Sequence, residues 1–135
     1  MFKQQRQRMR LLFDTHLMLW WAGKDTRLPK ALVGLTDAAE SVYFSRASMW
    51  EIAIKVSLGR LKLDVNQFAD SIEQHGFEWL EIKDIHLRAV ASLPFIDGHR
   101  DPFDRLLVAQ SLTEPLLLLT SDASLSGYGA TVHQV

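Results

Sequence analysis

The chain has no cysteine among its 135 residues. Disulfide staples, thiolate metal sites and cysteine nucleophiles are therefore excluded, and a reducing compartment is compatible with it. It also lacks a long apolar run. The stretch 11–21 is interrupted by Asp14 and His16, is too short to cross a bilayer and is not followed by a cleavage signal. We therefore expect a soluble, cytoplasmic protein that makes no use of a membrane. There is no excess of basic charge: the net charge is −1, so the overall signature of a nucleic-acid-binding domain is missing. No Gly-rich phosphate loop, Gly-x-Ser-x-Gly elbow or His-Glu-x-x-His helix occurs, which removes the chemistries those motifs carry. His16, His75, His86, His99 and His133 show no paired metal-ligand spacing, which argues against zinc.

What is present suits one globular unit. The apolar fraction of 47% is ordinary, and a chain of this length buries roughly 70% of its unfolded surface. We read residues 1–135 as a single domain, with 1–9 as a flexible basic N-terminal extension. Residues 1–10 hold Lys3, Arg6, Arg8 and Arg10 and no acid, while the rest carries eleven bases against sixteen acids. Such a head is either a solvated terminus or a short arm that touches a phosphate backbone.

Hydrophobic patterning alternates strand and helix. Strands are expected at 10–13, 41–44, 77–82, 116–120 and 131–135. Helices are expected at 15–22, 29–39, 49–58, 65–75, 84–92 and 102–112, with a short turn at 122–126. Gly23, Gly59 and Gly76 punctuate helix ends, and Pro102 suits a first helical turn. The apolar run 116–120 reads as a strand buried on both faces. Strands separated by helices imply a mostly parallel α/β sheet.

Four carboxylates fall where strands end or helices begin: Asp14, Glu51, Asp104 and Asp122. In a parallel sheet such positions converge on the carboxyl edge, where active sites form. Acids gathered there repel one another unless a cation lies between them, and a hard divalent ion prefers oxygen ligands. The pattern thus suits a metal-dependent enzyme acting on a phosphate ester. Each acid also has a local alternative. Asp14 can cap the helix it precedes. Ser48 and Glu51 have capping-box spacing. Asp101, before Pro102, is the natural cap of its helix, and Asp104 then sits where the helix dipole favours an acid. Asp122 either caps the last turn or faces the same edge as Asp14. Of the four tryptophans, Trp20 and Trp21 are adjacent on one helix and cannot both point inward; with Trp50 they are candidates to line a partner groove.

Leu11-Leu-Phe-Asp14-Thr-His-Leu-Met-Leu-Trp20, Ser45-Arg-Ala-Ser-Met-Trp-Glu51-Ile-Ala-Ile-Lys55, His99-Arg-Asp-Pro-Phe-Asp104-Arg-Leu-Leu-Val-Ala-Gln110 and Leu119-Thr-Ser-Asp122 occur in this order. With them the chain resembles the PIN-domain ribonucleases, and among those the VapC-type toxins of toxin–antitoxin pairs. The resemblance implies a PIN-like three-layer α/β/α sandwich with a central, mostly parallel sheet of about five strands and the first strand in the middle. It implies a Mg²⁺- or Mn²⁺-dependent endoribonuclease acting on RNA through metal-activated water. Asp14, Glu51, Asp104 and Asp122 would be the metal-binding and catalytic acids. Thr15 and Thr120 would be nearby hydroxyls, and Asp101 a helix cap with indirect metal contact. A homodimer and a VapB-like antitoxin partner are implied as well. A catalytically weak or inactive PIN-fold binding module is the alternative. An aspartyl-phosphate phosphatase is disfavoured, since His16 stands where its second aspartate belongs, and a structure-specific DNA nuclease lacks room for its helical arch.

Overall fold

The computed structural model describes residues 9–96 and 98–135. Lys3, Arg6 and Arg8 of the basic head lie outside the described residues. The order of elements is β1 (Arg10–Phe13), α1 (Thr15–Ala22), α2 (Lys30–Ala38), β2 (Ser41–Ser45), α3 (Arg46–Ser57), α4 (Val65–Gln74), β3 (Glu78–Leu80), α5 (Asp84–Ser92), α6 (Pro102–Thr113), β4 (Leu117–Thr120), a 3₁₀ helix (Ala123–Tyr128) and β5 (Val132–Gln134). Among the described residues no helix is long and apolar enough to cross a membrane.

The five strands form one all-parallel sheet in the order β3-β2-β1-β4-β5, with the first strand central, as the resemblance implied. From β1 the chain winds outward through β2 and β3, then returns to the other side of β1 for β4 and β5. The reversal puts a topological switch point between the carboxyl ends of β1 and β4, the crevice where open α/β sheets bind ligands.

Period-2 alternation distributes the apolar residues of the central strands to both faces. Leu11 and Phe13 of β1 and Leu119 of β4 join Leu17, Met18, Leu32, Ile52, Phe68 and Ile72 from α1–α4 in one core. Leu12 and Leu118 face the other way and join Leu107 and Val108 of α6, together with Leu125 and Val132. The result is the expected α/β/α sandwich. Phe13, Trp21 and Phe77 meet edge to face within the first core, with centroids 4.8–5.8 Å apart, so Trp21 is largely a core residue.

One local expectation needs correction. The helix that carries Glu51 begins at Arg46, one turn earlier than its sequence suggests. Ser45, the last residue of β2, is its N-cap and accepts the Ala47 N–H at 3.0 Å. Ser48 is therefore inside the helix, and the Ser48–Glu51 capping box does not form. Arg10 opens β1, the strand expected at 10–13, and donates to the Glu114 carbonyl at 3.0 Å and to the Tyr43 hydroxyl at 3.3 Å.

A buried side chain on β4 and an exposed one on α6 should separate in a mutational test. Leu118→Ala should lower unfolding free energy by about 2–5 kcal/mol in denaturant titration. Leu112→Ala, at a residue 46% exposed, should cost under about 1 kcal/mol. Equal costs would contradict the sandwich.

Candidate active site

The carboxyl ends of β1 and β4 place Asp14 and Asp122 on neighbouring connections. Asp14 follows Phe13 directly, and its N–H donates to the Leu119 carbonyl at 3.0 Å, extending the β1–β4 ladder by one residue. Its carboxylate is buried and divided in function. Oδ1 accepts the Leu17 N–H at 2.8 Å as the N-cap of α1, and Oδ2 accepts the Thr120 hydroxyl at 2.6 Å. The capping and site readings of Asp14 are thus compatible, one for each oxygen. Burial raises the Asp14 pKa, and the Thr120 hydrogen bond opposes that rise. Thr120 Oγ1 also accepts the Asp122 N–H at 3.0 Å, so one hydroxyl fixes both strand-end acids.

Glu51 reaches the same region from the second turn of α3 and is buried. Oε1 accepts the Thr15 hydroxyl at 2.7 Å; that hydroxyl is also 2.9 Å from Ser48 Oγ. Oε2 pairs with Lys55 Nζ at 2.9 Å, one helical turn on. Thr15 therefore holds Glu51, and Thr120 holds Asp14 and the Asp122 backbone.

Asp101 is the N-cap of α6, accepting the N–H groups of Phe103 and Asp104 at 2.9 and 3.0 Å, with Pro102 in the first turn. Asp104 lies three positions beyond Asp101 and is half-buried. Its pKa is pushed up from the ordinary 3.8 to about 7. Burial is the main cause. The charge of Asp101 adds to it, His99 opposes it, and the charges of Glu51 and Asp14 raise it further. Three acids on three different elements thus act on Asp104 through one field. Asp122, at the rim, is stabilised as a carboxylate: the Ser124 hydroxyl and N–H donate to Oδ1 at 2.7 and 2.9 Å, and its pKa is lowered.

One site residue is absent from the sequence-based set. His99 Nε2 lies 3.1 Å from Asp104 Oδ2, and among the described residues His99, Asp104 and Asp122 each present a ligand atom within 4.8 Å of the others. Gly98, at φ +73°, takes a left-handed conformation open to glycine, and the His99 N–H folds back onto the Ile96 carbonyl at 2.7 Å. No helical or strand periodicity predicts a contact made by such a turn. Lys55 was findable, because four residues on from Glu51 is the neighbouring position on a helix. The donors fit a divalent cation: among the described residues Asp104 and Asp122 pair with no lysine or arginine and meet only His99 as a base, and the raised Asp104 pKa marks a carboxyl group whose proton a cation would replace.

The candidate partner-groove tryptophans divide. Trp50 is 59% exposed and meets Phe103 edge to face, next to Asp104 in sequence. Trp20 is half-buried with the Arg27 guanidinium over its ring.

Asp104 makes the metal-free protein sensitive to pH in a defined direction. An acid whose folded pKa lies above its unfolded value stabilises the fold while protonated. That contribution is complete below about 3.8 and is lost as pH rises through about 7. In EDTA the wild-type Tm should fall on the order of several degrees between pH 5 and pH 8, and Asp104→Asn should flatten the decline. Parallel pH profiles of the two proteins would show that Asp104 titrates normally.

The family model described as the PIN domain matches residues 11–130. Ribonuclease VapC22 of Mycobacterium tuberculosis is 24% identical over 127 residues, 87% of this chain and 91% of that protein. Among solved structures, VapBC2 from Rickettsia felis bound to a DNA fragment from their promoter superposes with a TM-score of 0.68 at 13% identity, over 93% of this chain and 98% of that one. FitAcB from Neisseria gonorrhoeae gives 0.65 at 19% identity, over 90% and 95%. With a family match that spans most of its length and a sheet whose switch point gathers the acids, the chain belongs to the PIN-domain family.

Proposed function

We propose that this protein is a Mg²⁺- or Mn²⁺-dependent endoribonuclease and the toxin of a toxin–antitoxin pair. The observation that carries the reading is the common field of Asp14, Glu51 and Asp104, with Asp122 at the rim, at the switch point of a PIN-family sheet. Asp14, Glu51, Asp104 and Asp122 would hold the cation, which would supply an activated water and positive charge to offset the charge developing on the leaving group. The chain's own groups prepare that site. Thr120 and the Leu17 N–H fix Asp14, Thr15 and Lys55 fix Glu51, and Ser124 fixes Asp122, so the acids need little rearrangement. Because water attacks rather than the ribose 2′-hydroxyl, the products carry a 5′-phosphate and a free 3′-hydroxyl.

Substrate positioning falls to a cleft of about 350 Å³ lined by His16, Trp20, Arg27, Lys55 and Arg60, among others. Lys55 belongs to the cleft and is also paired with Glu51, which joins the cleft to the acids. Arginine and lysine there hold phosphates, and Trp20 offers a surface on which an unpaired base can stack. The relatives that share this fold include VapBC2 and FitAcB, and ribonuclease VapC22 shares detectable sequence. By the same analogy the protein forms a homodimer and is restrained by a VapB-like antitoxin. Against an acidic edge, that partner would present Arg or Lys, with apolar anchors toward Trp50 and Phe103.

The purified protein should cleave single-stranded RNA in Mg²⁺ or Mn²⁺, stop in excess EDTA and resume when metal is restored. Asp14→Asn and Asp104→Asn should each lower the rate by at least about a hundredfold. End-labelling should find 5′-phosphates. Metal binding with no cleavage of any RNA tested would favour the binding-module alternative, and 2′,3′-cyclic ends would rule out attack by water.

A further inference from the structure

One nitrogen donor stands among the oxygens of this site. His99 lies on the turn before α6, and its side chain is 14% exposed. Tyr128 closes one side of the ring edge to face, with centroids 6.1 Å apart. Both ring nitrogens are engaged: Nδ1 is 3.2 Å from Ser124 Oγ, and Nε2 is 3.1 Å from Asp104 Oδ2.

These contacts fix the tautomer. The Ser124 hydroxyl donates its single proton to Asp122 Oδ1 at 2.7 Å. Toward the ring it offers only a lone pair, so Nδ1 carries the proton and donates. In the neutral ring, Nε2 then aims a lone pair at a carboxylate oxygen 3.1 Å away. In the metal-free protein one proton between Nε2 and Oδ2 makes this an ordinary hydrogen bond, and a divalent cation can take that proton's place. Neighbouring ligands at right angles on an ion with bonds of about 2.1 Å are roughly 3.0 Å apart, so the observed separation suits a shared cation. The rest of the arrangement has the form of a metal-bound histidine, whose second nitrogen donates to an oxygen that orients the ring. Here that oxygen is Ser124 Oγ, and the same hydroxyl holds Asp122.

We propose that His99 is a nitrogen ligand of the divalent-cation site, acting with Asp104 and Asp122, and that it biases the site toward Mn²⁺ over Mg²⁺. Mg²⁺ keeps to oxygen ligands and water, whereas imidazole nitrogen suits first-row transition ions. The inference rests on the metal-dependent reading above and adds to it both a ligand and an ion preference.

Pulsed electron paramagnetic resonance on the wild-type protein loaded with Mn²⁺ tests it without a variant. We expect modulation from a directly bound nitrogen, altered when histidine is labelled with ¹⁵N. Bound Mn²⁺ with no coupled histidine nitrogen would overturn the proposal and reduce the contact to an ordinary His99–Asp104 ion pair. Calorimetric titration of His99→Ala supplies a second readout. Mn²⁺ affinity should fall at least about tenfold while Mg²⁺ affinity changes less than about threefold. Equal losses for both ions, or none, would also overturn it. RNA cleavage in Mg²⁺ separates the two levels. Cleavage without nitrogen coupling removes only the His99 assignment, whereas neither metal binding nor cleavage removes the nuclease reading with it.

Discussion

Burial of carboxylates at one sheet edge, with their mutual repulsion added to it, is the constraint around which this molecule is arranged. The parallel pairing of β1 with β4 brings Asp14 and Asp122 to adjacent strand ends, and α3 and α6 add Glu51 and Asp104. Each acid is met by a donor suited to its depth. Asp14 has a backbone N–H and a threonine, Glu51 a threonine and a lysine, and Asp122 a serine. Among the described residues Asp104 has only His99 to set against its burial and three other acids, and its pKa is pushed up to about 7, while Asp14 is raised by burial as well. The fold thus places its largest unrelieved electrostatic cost on Asp104, the group a cation would relieve most.

The helices that present these acids are locked to each other by buried polar contacts. Ser45, the cap of α3, donates to Gln110 Oε1 at 2.6 Å, which ties the start of the Glu51 helix to the Asp104 helix. Gln110 Nε2 reaches the Glu81 carbonyl at 3.3 Å, and His86, fully buried, spans from the Lys83 N–H to Glu114. Arg105 follows Asp104 and points the other way around α6. Its guanidinium has no carboxylate partner among the described residues. It donates instead to the carbonyls of Pro94, Leu93 and Val90 at 2.8–3.4 Å and to the Tyr128 hydroxyl at 3.1 Å, under the Phe95 ring. A cation at the carboxyl end of α5 is favoured by the helix dipole, which helps offset its burial. The same side chain anchors both the segment leading to His99 and the tyrosine that borders the His99 ring.

Much of this was legible in the sequence because it follows from periodicity and punctuation. The run 116–120 foretold a buried strand and Asp101-Pro102 a helix start, whereas Asp122 was open between the sheet edge and the cap of the last turn, and it is the N-cap of the 3₁₀ helix. The start of α3 was misread because two serines three residues apart both make plausible caps; tertiary packing of Ser45 against Gln110 decides between them. His99 was missed for a different reason. Its contact with Asp104 depends on a left-handed glycine and a short reversal, neither of which leaves a repeating pattern.

If the account is right, the cation takes the place of a proton that the acids cannot do without. Titration of the metal-free protein with Mn²⁺ near pH 6, repeated in buffers of different ionisation enthalpy, counts the protons released on binding. Asp104, with its pKa pushed up to about 7, is then mostly protonated, so close to one proton should leave per protein saturated with metal. Binding with no proton release would mean that the acids were already ionised and unstrained without the ion. That result would contradict the claim that their burial and repulsion define the site.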